Sequence, residues 1–202
     1  MVRELLLAMI LAAGPHSPAG APLQGVVDLL MEYLEIRYPE QTFTGDVLYV
    51  SIHRQALFHV RDRQLMQVYP VATAKAGLGG DDGSWRTPTG LHRISEKYGD
   101  GVPELGILRD RKFTGEIADP DFAGVDKDWI TSRILWLDGL EPGVNRGDNV
   151  DSHARYIYIH GTANEKSIGT ASSMGCVRMR NHDVIRLYDA VSVGALVVIL
   201  DN

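Results

Sequence analysis

From Asp46 onward the chain breaks into short runs that are too brief for helices and too apolar for loops, and this restricts its fold more than any other feature. Val47–Ile52, Ala56–Val60 and Leu65–Ala72 are rich in β-branched, aromatic and long aliphatic residues. Polar breaks at His53-Arg54-Gln55 and Arg61-Asp62-Arg63 separate them. Runs of roughly 4–8 such residues between polar turns read as strands joined in hairpins. Thr87-Pro88-Thr89-Gly90 is a turn leading into Leu91–Ile94, and Trp129–Leu137 resumes the apolar pattern. Turns follow at Glu141-Pro142-Gly143 and Arg146-Gly147-Asp148-Asn149. Tyr156-Ile157-Tyr158-Ile159 is a buried strand with His160 at its end, and Ala195–Leu200 forms a last strand after Gly194. The expected class is mainly β with a few helices.

Two segments have helical spacing. In Val26–Tyr38, Asp28, Glu32 and Glu35 fall at i, i+4 and i+7 and form one charged stripe. Val26, Leu30, Tyr33 and Leu34 take the other faces, and Pro39 stops the segment. This helix is expected to pack on the main domain, since anionic lipid would repel its acidic stripe. The second helix starts near Asn181, read as the N-cap, with Asp183 in the first turn. Val184, Ile185, Leu187, Tyr188 and Val191 are its apolar face. Between Ser95 and Asp128 no period persists; this glycine-punctuated insertion either lines a site or decorates the domain.

Ahead of the first helix, Leu5–Ala13 is an apolar run too short to span a bilayer. It fits the core of an export signal, with Arg3 before it and Ala19-Gly20-Ala21 as a cleavage site. Glu4 and Pro22 fit that pattern poorly, and the plain alternative is a buried helix. The division expected is a leader and linker over 1–24, a helix over 25–40 and the main domain over 44–202. Export would place the protein in the periplasm or cell envelope, touching membrane only through an uncleaved leader. A formal net charge of −6 without any basic cluster excludes a nucleic-acid binder. There is no dinucleotide or P-loop glycine pattern, and no cofactor is expected.

The single cysteine, Cys176, lies in a dense motif: His160-Gly161-Thr162, then Ser167-Ile168-Gly169, then Ser173-Met174-Gly175-Cys176-Val177-Arg178-Met179. One sulfur forms no internal disulfide, so it is filler, a metal ligand or a nucleophile. As a nucleophile it must be a thiolate, and a neighbouring imidazole lowers a thiol pKa into roughly the 3.5–7.5 range. His160 is the candidate base, oriented by a backbone carbonyl such as that of Gly161, because no acid lies nearby in sequence. Gly161 is expected to allow close backbone access, and Gly175 to turn backbone N–H groups toward an oxyanion. Arg178 is suited to hold a carboxylate bidentately. Ser173 and Thr162 are candidate substrate-wall residues, and Thr162 also suits a loop-shaping role. A zinc site built from Cys176, His160, His153 and His182 lacks paired ligands at helical spacing and has a single thiolate, so no metal is expected. His92, His153 and His182 read as surface or locally bonded.

Taken together with Tyr69-Pro70-Val71 and Thr87-Pro88-Thr89-Gly90, this motif resembles that of the YkuD-type L,D-transpeptidases, and the resemblance runs from about Asp46 to Leu200. It implies a β-sandwich-like catalytic domain in which Cys176 is the nucleophile and His160 the base, with Ser173, Gly175 and Arg178 shaping the site. It further implies peptidoglycan stem peptides as substrates. The thiolate attacks the diaminopimelate carbonyl of a tetrapeptide stem, D-Ala leaves, and an amine resolves the thioester. The product is a 3-3 cross-link or an attached protein such as a lipoprotein acceptor. If water wins the second step, the same site is an L,D-carboxypeptidase or hydrolase. A wall-binding module without catalysis is the rival from another class. Met174 stands where many members carry histidine before the Gly-Cys pair, which leaves proton transfer to His160 alone.

Overall fold

A computed structural model of the chain describes residues 21–119 and 129–202. The leader reading over Leu5–Ala13 lies outside the described residues, as do Ala19 and Gly20 of its cleavage site. Helix α1 (Ala21–Arg37) comes first. It begins within the segment read as linker, so Ala21–Gln24 are helical. Strands β1 (Asp46–Ser51), β2 (Ala56–Arg61) and β3 (Gln64–Ala72) form the expected meander. Then come β4 (Gly90–Tyr98), β5 (Gly106–Arg109), β6 (Lys112–Ile117), β7 (Ile130–Gly139), β8 (Tyr158–Thr162) and β9 (Val177–Met179). Helix α2 (Asn181–Ala190) leads to β10 (Leu196–Leu200).

All ten strands belong to one sheet. Strand β4 pairs with both β10 and β7, so the order β4-β10-β1-β2-β3-β9-β8-β7 closes on itself, and the β5–β6 hairpin extends from β7. Closure leaves β1 covered on both faces, which is why its sequence is an apolar run and not an alternation. Leu48 and Val50 join one core with Val71, Leu135, Ile159, Val177 and Met179, capped by Val184, Leu187 and Tyr188 of α2 and by Val191 just after it. Val47 and Tyr49 join the other core with Phe58, Val60 and Val198, beneath Val27, Leu30, Met31 and Leu34 of α1. The acidic stripe Asp28, Glu32 and Glu35 faces solvent. Arg37 and Tyr38 tie the end of α1 to Glu141 at 3.0 and 2.8 Å. No described helix is long and apolar enough to cross a membrane.

Two local readings are corrected. Asn181 is the first helical residue and Arg180 occupies the cap position without a side-chain cap bond of its own; the Asn181 N–H is taken by Glu165 Oε1 at 2.7 Å. Buried Asn181 instead joins three elements. Its Oδ1 accepts from Thr131 and Ser132 at 2.6 and 2.7 Å, and its Nδ2 donates to the Thr162 carbonyl at 2.8 Å. The insertion is not patternless: β4 runs to Tyr98, and β5 and β6 make a hairpin whose turn residues Asp110 and Arg111 have φ of +49° and +64°. Every residue of β6 is exposed, so burial imposed no alternation to read.

His92 carries a pH prediction. It is fully buried, its Nδ1–H donates to the Gly90 carbonyl, and its Nε2 accepts from the Ser152 hydroxyl, both at 3.0 Å. Burial penalises the charged ring and lowers its pKa from 6.5 to about 4. Between those values the unfolded chain binds a proton that the folded chain refuses. Stability is therefore whole above pH about 6.5 and falls by about 3 kcal/mol as pH drops toward 4. Denaturant midpoints across this range should fall more steeply for the native chain than for His92→Gln; equal slopes would refute the assignment.

Candidate active site

Strands β8 and β9 are parallel neighbours, with Ile159 beside Val177, His160 beside Arg178 and Gly161 beside Met179. One step back along this register sets Tyr158 beside Cys176. Side chains of registered parallel neighbours share a face, and so do residues two apart on a strand. His160, Arg178, Tyr158 and Cys176 therefore occupy one face, with the sulfur two positions along from the imidazole. Half-buried Cys176 stands where β9 begins. Its Sγ accepts the Tyr158 N–H at 3.4 Å and donates to the Tyr156 carbonyl at 3.4 Å.

His160 is buried, with its Nδ1 2.8 Å from the Gly161 carbonyl oxygen. A carbonyl only accepts, so Nδ1 carries the hydrogen and the neutral ring's Nε2 is a lone-pair acceptor. The geometry thus provides the backbone orienter anticipated for this histidine. Gly161 is required for a different reason from the one expected: a Cβ there would lie 2.6 Å from the Thr131 carbonyl and 2.7 Å from Asn181 Oδ1. Glycine lets β7 and the Asn181 hub close against β8.

The turn before the sulfur is held from two sides. Buried Ser173 donates its hydroxyl to the Cys176 carbonyl at 2.6 Å and accepts the Gly175 N–H at 3.2 Å. That N–H is thus already engaged, and an oxyanion role for Gly175 would require it to leave Ser173. What the position demands is φ +129°, a conformation that favours glycine. From the other side Thr87 donates to the Gly175 carbonyl at 2.8 Å while accepting the Ala74 N–H at 2.9 Å. Thr87→Val keeps the shape but leaves two buried backbone groups unpaired. It should lower stability by about 1–3 kcal/mol; denaturant unfolding checks this, and an unchanged midpoint would show the turn is held otherwise.

Thr162 is buried, and its hydroxyl accepts the Asn164 N–H at 3.2 Å, a contact suited to the loop-shaping role expected of it. Arg178 is buried beside His160. His153 stacks on Trp136 with centroids 3.9 Å apart, and His182 is exposed. Among the described residues no three His, Cys, Asp or Glu side chains cluster to hold a metal.

Residues 45–199 match the L,D-transpeptidase catalytic domain family, YkuD. YqjB of Bacillus subtilis (strain 168), named for the same family, is 40% identical over 165 residues, covering 81% of this chain and 76% of that one. The chain belongs to the L,D-transpeptidase catalytic-domain family. YkuD of the same organism is 56% identical over 41 residues, 20% of this chain and 25% of its own length. Among solved structures, that of the Ldtfm–avibactam carbamoyl enzyme superposes with a TM-score of 0.50 at 14% identity. It covers 81% of this chain but 51% of the other, and it shows likeness of fold alone.

Some site neighbours of this family member escaped the sequence reading. Thr87 was within the quoted turn motif, but only the fold shows its hydroxyl under Gly175. Arg155 donates to the Arg86 carbonyl at 2.8 Å and the Gly79 carbonyl at 3.3 Å, pinning the 79–86 loop beside the cysteine turn. Burial draws its pKa down, opposed by the carboxylates of Asp82 and Asp81. No local pattern marks it. Trp136, Tyr156 and Tyr158 form an aromatic group on which Cys176 packs; their strands were legible, their convergence was not.

Proposed function

We propose that this family member is a cysteine-dependent peptidoglycan L,D-transpeptidase acting in the cell envelope. The observation that carries the reading is the β8–β9 register, which sets the Cys176 thiol on the face and two positions from a histidine whose Nδ1 is tied to Gly161. In the first half-reaction the thiol proton passes to His160 Nε2 and sulfur bonds to the carbonyl at the L-centre of diaminopimelate in a tetrapeptide stem. The C–N bond to D-Ala then breaks, and His160 returns the proton to the leaving amine. In the second half-reaction an amine acceptor attacks the thioester, yields a proton through His160 and regenerates the thiol. The acceptor amine belongs to a second stem, giving a 3-3 cross-link, or to a protein such as a lipoprotein. Two half-reactions through one covalent species require ping-pong kinetics.

The purified chain incubated with a tetrapeptide stem should release D-Ala and gain the acyl mass by intact-protein mass spectrometry. Muropeptide analysis of treated sacculi then separates new 3-3 links and protein attachment from trimmed tripeptides. Absence of both the adduct and D-Ala release would overturn the proposal, and products confined to trimming would replace transfer with hydrolysis.

A further inference from the structure

The β5–β6 hairpin carries one cation inward. Arg111, at its turn, places its guanidinium carbon 4.8 Å from the Trp136 ring centroid, 5.7 Å from that of Tyr156 and 5.9 Å from that of Tyr98. Its Nη1 donates to the Tyr158 hydroxyl at 3.3 Å. Tyr158 is the residue whose backbone N–H meets the Cys176 sulfur, and Cys176 packs on the Tyr158–Trp136 cluster. The guanidinium thus lies against the same aromatic patch on which the thiol packs. A guanidinium seated in this way keeps most of its five in-plane donors available at its edge. The nearby carboxylate, Glu96, is already engaged by the Tyr98 hydroxyl and by His153 Nε2 at 3.2 Å.

We propose that Arg111 is a specificity-determining residue that receives a free carboxylate of the donor stem peptide. The inference rests on the reading above. A planar cation held in place over a desolvating aromatic surface suits bidentate pairing with a carboxylate more than contact with a neutral amide or sugar hydroxyl. Two such groups flank the scissile bond of a donor stem, the C-terminal carboxylate of the leaving residue and the side-chain carboxylate of diaminopimelate. Both present the same chemistry to Arg111.

The test compares kcat/KM for D-Ala release from three synthetic donors: the free acid, the C-terminal amide and the side-chain amide. For the native chain one amide should be about 10–100-fold poorer than the acid, as loss of a charged hydrogen bond implies, and which amide it is names the carboxylate. Arg111→Gln should bring that ratio close to 1. Lys112→Gln, which removes the exposed cation next along the hairpin, should leave the ratio as in the native chain. If Arg111→Gln does not fold, Arg111→Lys, which keeps the charge but not the planar fork, should reduce the ratio severalfold. The proposal is overturned if the native chain treats all three donors alike, if the Arg111 variants keep the native ratio, or if Lys112→Gln collapses it equally. Failure of the native chain to form any acyl-enzyme would instead overturn the functional reading, and this proposal with it.

Discussion

Cys176→Ala is expected to abolish acyl-enzyme formation outright. This is the chain's only thiol, and no neighbour can take its place. The Ser173 hydroxyl is the nearest candidate in sequence, but its proton is directed to the Cys176 carbonyl and its oxygen accepts the Gly175 N–H. It has no proton acceptor of the kind that activates a hydroxyl. The substitution should be mild for the fold. Cys176 is half-buried at the edge of the aromatic cluster, and the turn around it is held through backbone atoms by Ser173 and Thr87. A stability loss within about 1 kcal/mol is expected for so small a truncation at a partly exposed position. Intact mass after incubation with a tetrapeptide stem should therefore show the acyl increment on the native chain and none on a folded variant. An adduct on Cys176→Ala, or D-Ala release at the native rate, would remove the sulfur from the chemistry.

His160→Gln should slow acylation by about 10²–10⁴-fold, the usual worth of a positioned general base. Glutamine is chosen because its amide can still donate to the Gly161 carbonyl, so that what is lost is mainly the Nε2 lone pair. A histidine that only braced the middle of β8 would give a different result: reduced stability with the sulfur's reactivity preserved. Alkylation of Cys176 by iodoacetamide at neutral pH separates the two cases, because alkylation also needs the thiolate. The base reading requires alkylation to slow together with acylation. Alkylation at the native rate, alongside a lowered unfolding midpoint, would assign His160 a structural role.

Much of this arrangement could be read before folding. The strands β1, β2, β8 and β10 stand out because a sheet covered on both faces demands apolar runs, and those runs are local. His160, Gly175 and Cys176 are visible for a similar reason: a histidine directly after an apolar run and a glycine before a lone sulfur are patterns within a few residues, although the structure carries β8 on through Thr162 and so places His160 at its middle and not at its end. The β5–β6 hairpin is not visible, because β6 is exposed along its whole length and carries no burial pattern. Asn181 was misread for a related reason. An asparagine opening a helix suits a cap, yet here the side chain is turned to the Thr131, Ser132 and Thr162 groups brought by β7 and β8.

By itself the sequence determined the β-rich class, the positions of most strands and the residue types able to perform thiol acyl transfer, since each depends on neighbours along the chain. The tertiary structure alone decided that β8 and β9 run parallel in the register that sets Cys176 beside Tyr158. It alone decided that Thr87 reaches across to the Gly175 carbonyl, that Gly161 is needed for close packing against Thr131, and that Arg111 comes to rest on the aromatic patch next to the sulfur. Those pairings join segments far apart in sequence. They are selected by closure of the sheet around its two cores, a property of the whole chain that no short stretch encodes.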